Sequence, residues 1–274
     1  MIKAAVIGCP IKHSKSPLIH GYWLNKYNIS GSYDAIEVTE DGFREQIDKI
    51  FDQGYSGFNV TVPHKIRIMD ICDLIDDNAK AIGAVNTVVK LSDGRVEGGN
   101  TDAFGFIENI KKNAPKFKFD NNIAMILGAG GASRACIYGL LKSGIKKIYL
   151  TNRTLSKSKD LAEEFKNYGE IKVIEWDIKE DYLKEISLLV NTTALGMSGS
   201  ASLDISLGNL PKTALVNDIV YAPLYTKLLK DAKDNGNEIV TGIGMLLHQA
   251  RPAFNAWFNQ YPNVTKELED KILL

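Results

Sequence analysis

The sequence predicts an α/β protein that contains a parallel, doubly wound sheet. From residue 123 onward, short continuous apolar runs alternate with amphipathic segments, the pattern of strands covered on both faces by helices. One run, IAMIL at 123–127, leads directly into a glycine-rich turn and a helical segment at 132–142. The pattern of apolar and polar residues changes after the stretch GGNTDAFGF at 98–106, which places a junction between two parts of the chain there.

Periodicity predicts the elements of the first part. Ser16 is expected to be the N-cap of the first helix, with Pro17 at the first helical position. The stretch at 69–82 is polar and helical in pattern. The predicted elements are a strand at 2–8, a helix at 16–27, a strand at 32–38, a helix at 42–51, a strand at 57–60, the helical stretch at 69–82 and a hairpin at 87–98 that turns at 92–94.

The second part reads as alternating strands and helices, followed by an apolar helix from Met245 onward. Pro252 is expected to kink this last helix. Because no strand follows it, we expect the helix to return to the first domain. The predicted strands lie at 123–127, 145–150, 171–175, 188–190, 214–220 and 238–240, the helices at 132–142 and 155–166, and the apolar stripe of the last helix at Leu246, Leu247, Ala250, Phe254, Trp257 and Phe258.

The composition and charge of the chain limit the classes of function that it can have. The 274 residues include 45% hydrophobic and 24% charged residues, which is typical of a globular protein and long enough for two domains. Lys plus Arg and Asp plus Glu number 33 each, without a basic run, so we expect no nucleic-acid and no membrane partner. No apolar run approaches membrane-spanning length.

Cysteine and histidine usage indicates a reduced, metal-free protein. Cys9, Cys72 and Cys136 are far apart and form no CxxC pair, which favours free thiols and a cytoplasmic location. The first strand begins at Ile2, which leaves no room for a signal peptide. The four histidines lack ligand spacing, so no metal site is expected.

The stretch FNVTVPHK at 58–65 places a lysine just after a predicted strand. Phe58, Val60 and Val62 alternate with polar residues, and Pro63 should end the strand because it cannot donate to a ladder. Lys65 then has no acidic neighbour in the sequence. It is either a solvated surface cation or a residue that takes part in chemistry.

The glycine turn after residue 127 indicates a dinucleotide site. Gly128 and Gly130 allow a tight turn, and the following helix N-terminus offers free N–H groups to a pyrophosphate. Ser133 stands where the strict fingerprint has its third glycine, and a small residue there still permits close packing. The alternative is a glycine-rich turn without a ligand.

The next strand ends in a basic rather than an acidic segment. An NAD site places a carboxylate here to bind the ribose hydroxyl, whereas Arg153 and Lys157 offer cations to a 2′-phosphate. The segment therefore favours NADP over NAD. The alternative is a solvated basic helix start, which the helix dipole disfavours.

Polar residues near other strand ends indicate a small anionic substrate. The hydroxyls of Ser14 and Ser16 can both donate to one carboxylate near a helix N-terminus, although capping alone would also explain Ser16. Asn86 and Asp102 lie beside expected strand ends, where open α/β sheets place their sites.

Taken together, these motifs resemble the shikimate dehydrogenase family. The motifs are GxPxxHSxSP, GFNVTVPHK, GAVNT, GxNTDxxGF, GAGGASRA, NRT and GMLLHQA, and they occur in order along essentially the whole chain. The resemblance implies reversible NADPH-dependent reduction of 3-dehydroshikimate to shikimate, on the pathway to chorismate and the aromatic amino acids. It also implies a substrate-binding domain at 1–101 and 242–274 and a Rossmann NADP-binding domain at 102–241.

The resemblance also implies roles for individual residues. Lys65 and Asp102 form the catalytic pair, with Lys65 donating a proton to the substrate oxygen as hydride arrives. Substrate contacts are implied at Ser14, Ser16, Thr61, Asn86, Asp102, Tyr221 and Gln249, and cofactor contacts at Gly128, Ala129, Gly130, Gly131, Ala132, Asn152, Arg153, Thr154, Lys157, Ile219, Gly242 and Met245. Thr192-Thr193-Ala194 departs from the commoner family sequence, which leaves the segment 192–197 open as a cofactor contact.

Three other interpretations remain at this point. The chain could be a quinate/shikimate dehydrogenase with relaxed substrate or NAD use, but no bulky residue replaces Ser16 and no acid follows Leu150. It could be a non-catalytic sensor of a dinucleotide or shikimate-like ligand, but Lys65 and Asp102 are retained. Those two residues could also form only a surface salt bridge. In every case the expected partner is a small molecule, and the chain is expected to be a monomer or homodimer.

Overall fold

The computed structural model describes residues 1–274 and contains twelve strands and nine α-helices. Strands and helices alternate along most of the chain. In chain order they are β1 (Ile2–Gly8), α1 (Ser16–Lys26), β2 (Gly31–Glu37), α2 (Phe43–Asp52), β3 (Tyr55–Val60), β4 (Leu74–Ile75), α3 (Asp77–Ile82), β5 (Thr87–Lys90), β6 (Val96–Gly99), α4 (Asp102–Asn113), β7 (Ile123–Leu127), α5 (Gly131–Lys142), β8 (Lys147–Thr151), α6 (Leu155–Phe165), β9 (Glu170–Val173), β10 (Leu188–Asn191), β11 (Leu215–Asp218), α7 (Lys227–Asp234), β12 (Glu238–Val240), α8 (Ile243–Phe258) and α9 (Lys266–Leu273).

The chain divides into two compact units. Unit 1 comprises residues 1–101 and 247–274, and unit 2 comprises residues 102–246, so the boundary falls within α8. Each unit has a six-stranded sheet of its own.

Unit 1 is built on a mixed sheet with the strand order β2-β1-β3-β5-β6-β4. The strands β2, β1 and β3 are parallel, whereas β5 is antiparallel to β3 and β6. The predicted hairpin at 87–98 is therefore confirmed, and Gly94 in its turn has φ +90°, a conformation that favours glycine. The core under α2 includes Ile7, Ile47 and Phe58.

The C-terminal segment covers the other face of this sheet. The indole Nε1 of Trp257 in α8 donates to the carbonyl of Val88 in β5, at 3.0 Å. A Cβ at Gly57 in β3 would collide with that indole, so glycine permits the close approach. Trp23 in α1 donates to the carbonyl of Asn263 in the chain after α8, at 3.1 Å. Buried aromatic rings and two indole hydrogen bonds thus attach this segment to unit 1.

Unit 2 has an all-parallel sheet with the order β12-β11-β10-β7-β8-β9. The first three strands run from the centre to one edge, and the chain then returns to build the other half from β10 outward. The strand order reverses between β7 and β10, which is where doubly wound sheets bind ligands. The predicted parallel, doubly wound fold is confirmed.

Three local predictions in unit 1 were wrong. The helix α1 begins one residue earlier than predicted, because the Lys15 carbonyl accepts from the N–H of Ile19; Lys15 is the N-cap, and Ser16 is the first helical residue. The strand β3 ends at Val60, as the predicted strand at 57–60 does, and not at Pro63, where the alternation of Phe58, Val60 and Val62 had placed its end.

The third error concerns the stretch at 69–82, which is not one helix. It begins in a 3₁₀ turn at 67–70 and continues through the two-residue strand β4 to α3. Strand β4 pairs with β6, which lies more than twenty residues further along the chain, so local periodicity does not reveal it. Asp76 then caps α3 by accepting from the N–H of Ala79.

The helices α4, α7 and α9 had not been predicted, and α8 continues through Pro252.

The structure lacks two other kinds of feature. No helix has the length and apolarity that a membrane crossing needs. No group of three or more His, Cys, Asp or Glu side chains is placed to hold a metal ion.

His20 in α1 is a buried histidine without a hydrogen-bond partner on either ring nitrogen. Its ring stacks on Tyr33, with centroids 3.9 Å apart. Burial lowers the pKa of His20 to about 3. The neutral imidazole is therefore the form that the folded protein holds.

We expect His20 to make folding sensitive to mild acid. Below an unfolded pKa of about 6.5 the unfolded chain binds a proton that the folded chain excludes, so stability is lost as the pH falls from about 6.5 toward 3. Between pH 7 and 5 this costs about 2 kcal/mol. The free energy of unfolding of the wild type should therefore fall between pH 7 and 5 by about 2 kcal/mol more than that of His20→Phe. Denaturant titrations of both proteins at the two pH values measure this difference.

The exposed His13 provides the matched control for this experiment. His13→Phe should retain the wild-type loss of stability between pH 7 and 5. If His20→Phe loses as much stability as wild type over that interval, the account of His20 is wrong.

Candidate active site

The predicted substrate residue Asn86 lies at the centre of a buried hydrogen-bond cluster in unit 1. Its Oδ1 accepts from the backbone N–H of Thr101 at 2.9 Å, and its Nδ2 donates to the Thr101 hydroxyl at 3.0 Å. The same hydroxyl lies 3.4 Å from Oε1 of Gln249 in α8. Because a backbone N–H can only donate, the orientation of the Asn86 amide is fixed. The structure therefore brings Asn86 and Gln249 together through Thr101.

Three further residues extend this cluster toward the N-terminal loop. Asn59 in β3 donates from Nδ2 to the Asn86 carbonyl and to the Thr87 hydroxyl, both at 3.1 Å. Thr87 donates in turn to Oδ1 of Asn86 at 2.9 Å. Tyr33 donates to Oδ1 of Asn59 at 2.6 Å.

The predicted carboxylate-binding serines lie at the other end of the cluster. The N–H of Ser16 donates to the Ser14 hydroxyl at 3.3 Å, so the two side chains are neighbours. Burial raises the pKa of Tyr33 well above its usual range, and a hydrogen bond from the Ser16 hydroxyl acts in the opposite direction. Ser16 thus contacts the phenol that continues to Asn59 and Asn86.

Thr61 and Lys65 lie on the segment that follows β3. A Cβ at Gly8 would lie 3.0 Å from the Val62 carbonyl and also against the Thr61 methyl group, so glycine lets this segment approach the end of β1. His64 is buried, and its Nε2 lies 2.6 Å from the Val38 carbonyl. The carbonyl of Lys65 accepts from the N–H of Val85 at 2.8 Å. The half-buried lysine is thus held on both sides by main-chain and histidine contacts.

Sequence reasoning missed Tyr33, Asn59, Thr87 and Thr101, and it assigned no anchoring role to His64. For Tyr33, Asn59 and Thr87 the available signal was a polar side chain at a buried strand position, which is costly unless its hydrogen bonds are satisfied. Their partners are distant in sequence, so the signal could mark the residues but not their contacts.

In unit 2 the glycine turn has the backbone that a dinucleotide requires. Gly128 has φ +111°, and a Cβ there would lie 2.8 Å from the Thr192 hydroxyl and 2.9 Å from the Thr193 methyl group. Gly130 and Gly131 have nothing within 4 Å of a Cβ, so that side of the turn is open. The first N–H groups of α5 follow at once, and its first turn contains no acidic residue.

The contacts of Ser133 explain why a serine can stand where the fingerprint has its third glycine. Its hydroxyl accepts from the N–H of Gly130 at 3.1 Å and lies 2.7 Å from the Thr192 hydroxyl. Thr192 donates to the Leu127 carbonyl at 2.7 Å, so Ser133 must be the donor between the two hydroxyls. The segment at 192–197, whose role the sequence left open, therefore supports the glycine turn through the hydroxyl of Thr192.

The end of β8 presents two exposed cations. Arg153 and Lys157 are exposed, and Thr154 is the N-cap of α6. Asn152 donates to the Thr154 carbonyl at 3.0 Å, which closes the turn between the strand and the helix. With the open glycine turn, these residues fit a dinucleotide that carries an additional phosphate.

The remaining predicted residues of unit 2 lie near the ends of β11 and β12. A Cβ at Gly242 would collide with the Ile219 carbonyl, so glycine allows the two backbones to touch. The N–H of Met245 donates to the Gly242 carbonyl at 3.1 Å. Tyr221 is half-buried, and burial raises its pKa.

Asp102 is the first residue of α4, where the helix dipole favours a carboxylate. Burial and the charge of Asp102 together raise the pKa of the Cys136 thiol in the neighbouring α5. Cys136 is therefore held as a neutral thiol, in agreement with the predicted free cysteines.

Comparison with known proteins identifies the family. The model of the shikimate dehydrogenase substrate-binding domain matches residues 6–88, and that of shikimate/quinate 5-dehydrogenase matches residues 109–197. A shikimate dehydrogenase (NADP⁺) of Paramagnetospirillum magneticum is 45% identical over 98% of this chain and 97% of its own length. The chain belongs to the shikimate dehydrogenase family.

Solved structures of this family share the fold. A shikimate 5-dehydrogenase from Thermus thermophilus, in complex with NADP(H) and shikimate, is 32% identical, with a TM-score of 0.87 over 100% of this chain and 98% of that one. A quinate dehydrogenase from Corynebacterium glutamicum, in complex with NAD, is 28% identical, with a TM-score of 0.92 over 99% and 98%. The likeness therefore extends to relatives with different substrates and cofactors.

We expect Arg153 to determine the preference for a 2′-phosphate. Arg153→Leu removes a charge-assisted contact, so the dissociation constant for NADP should rise about tenfold or more, while binding of NAD should change little. Calorimetric titration of both dinucleotides measures the two effects.

Lys159, an exposed cation on the same helix α6, provides the matched control. Lys159→Leu removes the same charge and should leave NADP binding within about twofold of wild type. Equal losses for NADP and NAD in Arg153→Leu would contradict the assignment.

Proposed function

We propose that this chain is an NADP-dependent shikimate dehydrogenase, an oxidoreductase that catalyses the reversible reduction of 3-dehydroshikimate to shikimate. The observation that carries the proposal is the 45% identity to a shikimate dehydrogenase (NADP⁺) over 98% of the chain. That match includes the Lys65 segment, the glycine turn and the basic end of β8.

Most of the substrate-binding residues that we propose belong to unit 1. Ser14 and Ser16 would bind the carboxylate, and Thr61, Asn86 and Gln249 would bind the ring hydroxyls. The connected hydrogen bonds from Tyr33 to Thr101 support this role, because they hold amide and hydroxyl groups in one orientation before a ligand arrives. Asp102 and Tyr221 are the further substrate contacts that we propose.

The cofactor-binding residues that we propose lie in unit 2. The turn at 128–132 would bind the pyrophosphate, and Asn152, Arg153, Thr154 and Lys157 would bind the phosphorylated ribose. Further contacts are proposed at Ile219, Gly242 and Met245. Bound NADPH supplies the hydride.

Lys65 is the proposed proton donor. Negative charge develops on the substrate oxygen as its carbonyl is reduced, and an ammonium within hydrogen-bond reach can neutralise it. The proton on Nζ of Lys65 passes to that oxygen, and in the oxidation direction the amine takes it back. Asp102, the other member of the proposed catalytic pair, would orient the reacting hydroxyl. The anchors at His64 and Val85 support this role, because they limit the freedom of the Lys65 backbone.

The wider setting also remains a proposal. The product would enter a pathway to chorismate and aromatic amino acids, in the cytoplasm, with the chain acting as a monomer or homodimer. Residues 1–101 and 242–274 would form the substrate-binding domain, and residues 102–241 the NADP-binding domain.

A second candidate is a quinate dehydrogenase that uses NAD, which the structural likeness to the Corynebacterium glutamicum enzyme favours. The basic segment after β8 argues against it, because an NAD site prefers a carboxylate there.

The absorbance of reduced nicotinamide at about 340 nm separates these candidates. The purified chain is mixed with shikimate or quinate and with NADP or NAD, in all four combinations. Rapid turnover of shikimate with NADP, and little with the other three, is the expected result. Preferred turnover of quinate with NAD would favour the second candidate, and no turnover in any mixture would favour a sensor.

Replacing Lys65 tests the proton donor. Lys65→Met keeps the length of the side chain but removes the proton, so kcat should fall by about 10²–10⁴-fold. Binding of shikimate should survive, because the proposed carboxylate and hydroxyl contacts remain. Steady-state kinetics and calorimetric titration of shikimate measure the two quantities.

The matched control is Lys49→Met, at an exposed lysine of α2 in the same unit. It should leave kcat unchanged. Wild-type turnover in Lys65→Met would show that Lys65 is not the proton donor.

A further inference from the structure

A buried carboxylate lies at the end of β11, outside every set of site residues named above. Asp218 has no exposed surface, and it is paired in register with Asn191 at the end of β10. Burial of a charge is costly unless strong hydrogen bonds compensate for it. The partners of Asp218 therefore indicate its role.

All three partners of this carboxylate are neutral donors. Its Oδ1 accepts from Nδ2 of Asn191 and from the N–H of Val220, both at 3.0 Å, and its Oδ2 accepts from the Thr226 hydroxyl at 2.6 Å. Thr226 itself accepts from the backbone N–H of Leu229 at 3.4 Å, so its own proton is directed to Asp218. Burial raises the pKa of Asp218, and the three donors oppose that shift. The three donors are thus arranged to stabilise the negative charge of Asp218 itself.

Asn191 connects the carboxylate to the loop after β10. Its Oδ1 accepts from the N–H and the hydroxyl of Thr193, at 3.1 and 2.7 Å. Its Nδ2 donates to the Leu195 carbonyl at 3.1 Å as well as to Asp218. Every hydrogen-bonding position of this amide is used. The loop that supports the glycine turn is therefore tied to Asp218.

Thr226 and Val220 connect the same carboxylate to the loop after β11. Thr226 is the N-cap of α7, so it fixes the far end of this loop, while Val220 fixes the near end. Ile219, a proposed cofactor contact, lies between Asp218 and Val220, and Tyr221, a proposed substrate contact, lies between Val220 and Thr226. One carboxylate thus fixes both loops at the carboxyl ends of β10 and β11.

The strand order indicates which half of the dinucleotide these loops meet. Arg153 follows β8 on one side of β7, and Ile219 follows β11 on the other side. With the 2′-phosphate at Arg153 and the pyrophosphate at the turn after β7, the nicotinamide half extends over β10 and β11.

We propose that Asp218 is a positioning residue that holds the loops after β10 and β11 in the conformation that receives the nicotinamide half of the cofactor. This inference rests on the proposed function. It predicts that loss of the carboxylate's contacts weakens binding of the whole dinucleotide but not of its adenosine half.

Thr226 offers a conservative pair of variants for the test. Thr226→Val removes the donor to Asp218, and Thr226→Ser keeps it. In the full-length chain, the dissociation constant for NADP should rise about tenfold in Thr226→Val and stay within about twofold of wild type in Thr226→Ser. Binding of adenosine 2′,5′-bisphosphate should stay within about twofold in both variants. Titration calorimetry with each ligand gives these values.

Thr265 provides the control for helix capping, because its hydroxyl caps α9 by accepting from the N–H of Leu268. Thr265→Val should lower the melting temperature through the lost cap without affecting either ligand. Asp218→Asn turns an amide N–H toward a donor and should resemble Thr226→Val. The Thr226 pair decides the question, because its result does not depend on the folding of Asp218→Asn.

Three results would overturn the inference. They are NADP binding in Thr226→Val within about twofold of wild type, equal weakening of adenosine 2′,5′-bisphosphate, and equal weakening of NADP in Thr226→Ser. A wild-type chain that turns over shikimate with NADP keeps the proposed function in place under any of them. A wild-type chain that does not bind NADP overturns both.

Discussion

Hydrogen bonds of fixed direction at the ends of buried strands are the constraint on which both units depend. A backbone N–H can only donate and a carbonyl can only accept, so each side chain between them has one permitted orientation. The N–H of Thr101 fixes the Asn86 amide in unit 1, and the Leu127 carbonyl fixes the Thr192 hydroxyl in unit 2. Because an unsatisfied buried polar group costs about 1–3 kcal/mol, these orientations are held before any ligand binds.

This constraint distinguishes the side chains whose hydrogen bonds are satisfied within the fold from those that remain exposed to solvent. Asn59 and Ser133 are buried and have their hydrogen bonds within the protein. Arg153 and Lys157 remain exposed, with their charged ends in solvent. Gly128 and Gly242 lie where a Cβ would block the approach of another segment. The chain thus combines a rigid polar base with open surfaces for small charged molecules.

The sequence predicted those features that local pattern controls. The apolar run at 123–127 became β7 at the predicted residues, because a buried strand needs no information beyond its own side chains. The strand β4 was missed because it is two residues long and exists only through its pairing with β6. Asp218 lay inside a predicted strand at 214–220, where two polar residues in an apolar run were a signal without an interpretation. Its partners Asn191 and Thr226 lie 27 and 8 residues away in the chain, and no local period reveals them.

The central claim is that unit 1 binds the substrate through the Asn86 cluster and unit 2 binds the dinucleotide at the glycine turn. Amide NMR spectra of the isotope-labelled chain, recorded with shikimate alone and with NADP alone, test it most directly. We expect shikimate to shift the side-chain amide signals of Asn86 and Gln249, and NADP to shift the backbone signals of Gly130 and Gly131. Shikimate that shifts only the glycine turn, or NADP that leaves the turn unchanged, would contradict the account.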